Sequence, residues 1–261
     1  MERLKKLLDE KVALYNRKEF IENDPVWFPH QFSDRRDIEI AALLASVIAW
    51  GNRKMILASG KKMLFDIMGG KPYDYIMSSK WSELCGDGNI HRTFFARDFV
   101  YIARGLKQIY EKCGSLESLF IATDDMWEGI SALRCELLSA NDGAETRHIS
   151  NPLPRKGKPA SACKRLHMML RWLSRKDGIV DLGIWQNVSP SSLMIPLDVH
   201  VARTGRRLGL ITRAQNDRRT VEELTAALRE MAPADPVIYD FALFGVGVAG
   251  DEFFDNYMSE Q

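Results

Sequence analysis

Apolar residues recur along this chain at helical spacing in one segment after another. In 2–17, Leu4, Leu7, Leu8, Val12 and Tyr15 lie three or four residues apart, the stripe of an amphipathic helix. The run from Asp37 to Trp50 (DIEIAALLASVIAW) is apolar on nearly every side, which predicts a helix central to a core. Gly51-Asn52 ends it in the manner of a glycine cap. The pattern resumes over 53–68 with Met55, Ile56, Met63, Leu64 and Ile67, until Gly69-Gly70-Lys71-Pro72 stops it. Further helices are predicted at about 92–112, 115–122, 126–139, 160–175, 199–209, 220–231 and 236–246. Thr220-Val-Glu-Glu223 has the spacing of a capping box. Ser115 can cap the 115–122 helix, although Glu117 comes one position too early for the reciprocal bond. No segment reads as a convincing sheet, so the expected class is all-α. Two stretches, the Asn-, Pro- and Gly-rich 140–158 and the irregular 177–196, read as loops or lobe boundaries.

Size and composition narrow this picture. A chain of 261 residues, 46% hydrophobic and 27% charged, can bury a core as one helical domain or as two packed lobes sharing a groove. Six Trp and twelve Phe argue against disorder. No apolar run approaches the roughly 18 residues that would span a bilayer. The first twenty residues are charged and amphipathic, without the apolar core of a signal peptide, so a cytoplasmic protein is expected. Cys85, Cys113, Cys135 and Cys163 contain no Cys-x-x-Cys pair, which points away from structural zinc and iron–sulfur clusters. They read as reduced and mostly buried.

Net charge is only +1, but its distribution is uneven. Between Asn151 and Lys176 stand eight Lys or Arg (Arg155, Lys156, Lys158, Lys164, Arg165, Arg171, Arg175, Lys176) and no acid. Between Val201 and Arg219 stand six Arg and one Asp, whereas the C-terminal DEFFDNYMSEQ is acidic. Two basic stretches can form a face for phosphates, or simply two solvated helix faces. Gly245-Val-Gly247-Val-Ala-Gly250 matches G-x-G-x-x-G, but it follows a helical segment instead of opening a βαβ unit. Helix packing followed by a glycine-rich stop is the expected role.

The segment Ile195-Pro-Leu-Asp198-Val-His200-Val-Ala-Arg203-Thr-Gly-Arg206-Arg207-Leu-Gly-Leu210 carries the clearest chemistry. Pro196 forces an extended entry, and Asp198 falls at a helix N-cap, where the dipole favours a carboxylate. A capping role alone would explain the residue. The order of residues nevertheless resembles the catalytic-aspartate segment of the helix-hairpin-helix DNA glycosylases, the superfamily of endonuclease III and 8-oxoguanine glycosylase. There a Pro/Val-Asp-x-His/Arg-Val run opens a helix that bears Arg and ends in Leu-Gly. The resemblance implies that Asp198 stabilises positive charge on the sugar and assists deprotonation of a nucleophile.

The usual Leu-Pro-Gly-Val-Gly hairpin is absent, and the common lysine position, 19 residues before Asp198, holds Ile179. Lys158-Pro-Ala-Ser-Ala-Cys-Lys164-Arg-Leu-His-Met-Met-Leu-Arg-Trp172 is instead similar to the lysine-bearing helix of the archaeal-type 8-oxoguanine glycosylases, which have an atypical hairpin and a longer spacing. Lys164 stands 34 residues before Asp198. Nearly the whole chain is similar to an uncharacterised bacterial family of that superfamily, through Cys-Lys-Arg-Leu, Leu-Arg-Trp, Pro-Leu-Asp-x-His and Asp-Pro-x-x-Tyr-Asp-Phe-Ala-Leu-Phe-Gly. A lysine attacks the sugar C1′ only as a free amine, which apolar surroundings and nearby cations favour. Cys163, Arg165, Leu166, Met168, Met169 and Leu170 surround Lys164 in sequence. A solvated or phosphate-binding lysine is the alternative, and Lys176 is the rival nucleophile.

The resemblance implies a two-lobed glycosylase fold, with one lobe over 30–150 and the other over 1–29 plus 151–261. It implies a DNA N-glycosylase with AP lyase activity on an oxidised purine such as 8-oxoguanine, catalytic residues Lys164 and Asp198, and no metal or organic cofactor. The expected partner is double-stranded DNA with a damaged base, bound by a monomer that is nucleoid-associated when engaged. Trp50 and Asn52 are candidates for stacking on and hydrogen-bonding to bases, against a core tryptophan and a helix stop. Arg165, His200, Arg203 and Arg207 are candidates for phosphate, against packing and ion pairs. A nucleic-acid-binding protein that keeps the fold without catalysis is the alternative, and an unrelated helical enzyme is a third.

Overall fold

The computed structural model describes residues 2–84 and 87–249, so Cys85, Gly250 and the acidic C-terminal stretch lie outside the described residues. The described chain is predominantly helical. The α-helices are α1 (Glu2–Tyr15), α2 (Glu19–Glu22), α3 (Arg35–Ile48), α4 (Arg53–Lys61), α5 (Pro72–Ser78), α6 (Ala96–Cys113), α7 (Met126–Ser139), α8 (Lys164–Ser174), α9 (Val199–Arg207), α10 (Arg218–Met231) and α11 (Asp240–Ala249). No described helix is long and apolar enough to cross a membrane.

Helix α3 is the pivot. Every residue from Ile38 to Ile48 is buried, as its all-round apolar pattern predicts. Asp34 caps it, accepting from the Arg36 N–H at 2.8 Å. Two buried residues break the apolar pattern: Ser46, which donates to the Leu43 carbonyl at 2.8 Å, and Glu39, fully enclosed. Its carboxylate accepts from Tyr110 (2.9 Å), Ser115 (2.6 Å), the Leu116 N–H (3.0 Å) and the Trp185 indole (2.8 Å). Four donors from three distant segments offset the cost of desolvating the charge and fasten the 177–196 loop to the core. Helix α8 packs on α3, α5 and α7 pack on α6, and α11 packs on both α1 and α9.

That last packing settles the glycine motif. A Cβ on Gly245 would lie 2.3 Å from the Tyr15 ring of α1, and one on Gly247 would lie 2.9 Å from His200 Cβ and 3.0 Å from its carbonyl on α9. The first two glycines therefore serve close helix approach.

Several elements differ from the sequence expectation. The predicted helix at 92–112 begins only at Ala96, because β1 (Asn89–His91) and β2 (Phe94–Phe95) form a small antiparallel hairpin before it. The 53–68 helix changes to a π-helical turn over Lys62–Ile67. The 115–122 segment is a single 3-10 turn, Leu116–Leu119, capped by Ser115. Helix α5 and the short turns of 19–31 were hidden among Pro and polar residues. The Thr220 capping box does not form: Asp217 is the cap, accepting from the Thr220 N–H at 3.1 Å, while Glu223 accepts from the Thr212 N–H at 2.8 Å. Cys163 is buried but Cys113 and Cys135 are exposed, against the expectation of mostly buried cysteines. They sit on the outer faces of α6 and α7.

Candidate active site

Two helix starts and the first turn of a third build the site. The segment before α8 is held in place by hydrogen bonds from the Ser161 N–H to the Asn151 carbonyl and from the Arg218 N–H to the Ala160 carbonyl, both 3.1 Å. Cys163 then takes a left-handed conformation (φ 45°), turning the chain so that Lys164 is the first residue of α8. At the second start, Pro196 and Leu197 lead into Asp198, whose extended backbone caps α9. Its Oδ1 accepts from the N–H groups of His200 and Val201, both at 2.9 Å. Oδ2 carries no hydrogen bond among the described residues.

Lys164 and Asp198 line one cleft, together with Phe20, Asp24, Met168, Arg171, Trp172, Pro196, Asp240, Phe241 and Phe244. The cleft spans about 410 Å³ of non-atom space, the open solvent at its mouth included. Aromatic rings, Met168 and Pro196 make its apolar wall, and five charged residues, Asp24, Lys164, Arg171, Asp198 and Asp240, complete the lining. Lys164 Nζ lies 3.4 Å from Met168 Sδ, a weak acceptor, and forms no ion pair among the described residues. Trp172 is fully buried, and its indole N–H has no hydrogen-bond partner in the structure.

Three charged residues of the cleft were not singled out from the sequence. Arg171 is buried and donates both to Asp240 in the cleft and to Asp181 behind it (3.2 Å). Arg175 continues the chain of charges to Asp181 (3.0 Å), Asp177 (2.6 Å) and Asp235 (2.6 Å). Burial pushes the Asp240 carboxyl up to about 6; Arg171 opposes the rise and the neighbouring Asp198 adds to it. Burial also raises Asp24, against the Val26 N–H bond and the positive charges of Arg53, Lys164 and Arg171. Asp240 lies in the Asp235-Pro-Val-Ile-Tyr-Asp240-Phe stretch, whose order was the only available signal. Asp24 was concealed as a turn former before Pro25, a role it also has, since it accepts from the Val26 N–H at 3.1 Å.

The other predicted residues divide. Trp50 and Arg165 line a different pocket, with Thr93, Arg147 and His148. The Arg165 guanidinium is engaged by the Val47 and His148 carbonyls. Trp50 is half-buried against His91, with Arg92 over its ring. Asn52 starts a helix as well as following one: its exposed side chain caps α4 through the Met55 N–H (3.3 Å). His200 and Arg203 both bond the Gly247 carbonyl, so they join α9 to α11. Arg207 is exposed in the last turn of α9, away from Asp198. Of the basic run, Arg171 and Arg175 are buried in ion pairs and do not form part of a basic face. Lys176 is exposed beyond the far end of α8, about 18 Å along the helix from Lys164 at 1.5 Å per residue. Among the described residues, no three His, Cys, Asp or Glu come together as a metal site.

No curated protein and no solved structure matches the chain. The family described as "Protein of unknown function (DUF2400)" matches residues 24–249, from Asp24 at the cleft to the end of α11. The chain belongs to that family.

Proposed function

We propose that the cleft is the active site of a DNA N-glycosylase with AP lyase activity, of the two-lobed helix-hairpin-helix type with an atypical hairpin. The observation that carries the reading is the shared cleft of Lys164 and Asp198, two residues 34 apart in sequence that could have faced opposite sides of the protein. A base turned out of the duplex enters beside Phe20 and Phe244, whose half-buried rings offer stacking surface, with the buried Trp172 and Phe241 in the wall behind them. Lys164 Nζ forms a bond to C1′ as the C1′–N bond to the base breaks, the electron pair leaving with the base. Asp198, held rigidly by its capping bonds, accepts the amine proton through Oδ2 and stabilises the positive charge that develops on the sugar. Ring opening gives a Schiff base, and β-elimination expels the 3′ phosphate. An oxidised purine such as 8-oxoguanine in double-stranded DNA is the proposed substrate, acted on by a monomer without metal or organic cofactor.

Borohydride trapping on duplexes containing 8-oxoguanine or an abasic site tests the proposal. A covalent adduct that disappears in Lys164→Ala is the expected result. DNA affinity without an adduct on any lesion would favour the alternative, a nucleic-acid-binding protein that retains the fold and uses Asp198 only as a cap.

A further inference from the structure

A second concavity opens beside the α8 start. Lys164 lines the cleft, whereas the next residue, Arg165, lines the pocket of Trp50, Thr93, Arg147 and His148. Arg147 also lines an adjoining pocket with Arg134, Arg155, Lys158 and Ser161. The two pockets therefore form one groove, and none of their lining residues is an acid. Glu145 is the carboxylate nearest its cations. It pairs with Arg134 at 3.0 Å and with Arg155, leaving Arg147, Lys158 and Arg165 without an acidic partner among the described residues.

The groove is more than a row of solvated cations. Arg134 is buried and donates through Nη1 to the Ile149 carbonyl at 3.1 Å. Its Nη2 is ion-paired with Glu145 at 3.0 Å, outside hydrogen-bond geometry. His148 is likewise buried, with Nε2 unpartnered and 3.5 Å from Asp98. Arg147 spends one donor on the Thr93 carbonyl (3.1 Å), which fixes its stem and leaves the rest of an exposed guanidinium to the groove. The exposed Arg147 and Lys158, without acidic partners among the described residues, offer charged donors to an anion with several oxygens. Half-buried Trp50 at one end, one face of its ring covered by Arg92, adds an aromatic surface for a nucleobase.

We infer that this groove binds the phosphodiester backbone of a DNA strand, with phosphates at Arg147 and Lys158 and an unstacked base against Trp50. The inference rests on the glycosylase reading only in taking the strand to be DNA. It assigns a strand contact separate from the cleft, lined by the next residue of α8.

Each phosphate contact releases counterions, so binding should weaken with salt in proportion to the contacts made. The test is fluorescence anisotropy of the full chain with a short 8-oxoguanine duplex at several salt concentrations, comparing the wild type with Arg147→Ala and Lys158→Ala. Both residues are exposed, and matching melting temperatures check that the variants fold. Each substitution should weaken binding and reduce the slope of log K against log salt by about 1. Trp50→Ala should weaken binding without changing the slope. Unchanged slopes in both cation variants would overturn the inference. So would binding of inorganic phosphate that depends on Arg147 while DNA affinity does not, since the site would then take a free anion only. Trapping of the adduct keeps the two readings apart. Reduced slopes with no adduct would leave the groove standing and remove the glycosylase, whereas an adduct with unchanged slopes would do the reverse.

Discussion

Asp198 and Asp240 face the same cleft, and the charge of the first adds to the rise that burial imposes on the second. Asp240 therefore titrates at about 6 although it is bonded to Arg171. A carboxyl whose folded value is raised holds a proton that the unfolded chain has lost. Its contribution to stability is present at low pH and declines as pH rises from about 4 to about 6. In Asp240→Asn this dependence is removed. Unfolding free energies by urea at pH 4.5 and pH 7 should show the variant gaining on the wild type by on the order of 2 kcal/mol as pH rises. An unchanged difference between the two pH values would contradict the assignment.

His167 acts in the opposite sense. Burial, with help from the Arg218 charge, pushes it down to about 3, and neither ring nitrogen has a hydrogen-bond partner. Its ring stands edge-on to Trp127 at 4.4 Å. A histidine that folds neutral contributes stability above its unfolded value near 6.5 and loses it as pH falls. His167→Phe, which keeps an aromatic ring there, should gain about 2 kcal/mol on the wild type between pH 6.5 and pH 5. Parallel denaturation curves for the two proteins across that interval would rule this out.

The capping and chemical roles of Asp198 can be separated. Asn retains the oxygen that accepts from His200 and Val201, so Asp198→Asn should unfold within a few tenths of a kcal/mol of the wild type. Asp198→Ala should cost about 1 kcal/mol. Both should lose the borohydride-trapped adduct, because neither supplies a proton acceptor at Oδ2. Trapping retained in Asp198→Asn would confine the residue to its structural role.

Gly247→Ala tests the packing of α11 on α9. The new methyl group would meet His200 Cβ at 2.9 Å, and the His200 carbonyl and Thr204 Oγ1 at 3.0 Å. Overpacking of this kind costs about 1–3 kcal/mol. Since His200 lies in the first turn of α9, the adduct yield should fall even at temperatures where the variant is folded. A melting temperature equal to that of the wild type would show that α9 and α11 can part without cost.

Local signals explain what was legible from sequence. The limits of α7, the cap at Asp198 and the two irregular stretches all follow from neighbours within a turn or two. The rest depends on partners remote in sequence. Arg171 and Arg175 read as part of a basic run, yet they are neutralised by Asp177, Asp181, Asp235 and Asp240. Glu39 read as a polar interruption of an apolar helix, yet donors from positions 110, 115, 116 and 185 enclose it. In the cleft, Lys164 and Asp198 were found through the order of residues in two segments. Asp24 precedes Pro25 as a turn former and Asp240 falls inside the predicted 236–246 helix, and only the assembled structure gives them a common wall.

Successive residues on an α-helix point about 100° apart. Lys164 and Arg165 at the head of α8 thus reach two different concavities, cleft and groove, by virtue of adjacent positions alone. The left-handed turn at Cys163 sets that phase, and the bonds of Ala160 and Ser161 anchor it. Losing or adding a single residue between Ser161 and Lys164 would rotate both cations away from their places at once. The spacing of that short lead-in is therefore a shared constraint, by which a change in chain length too small to disturb the core would disable two sites together.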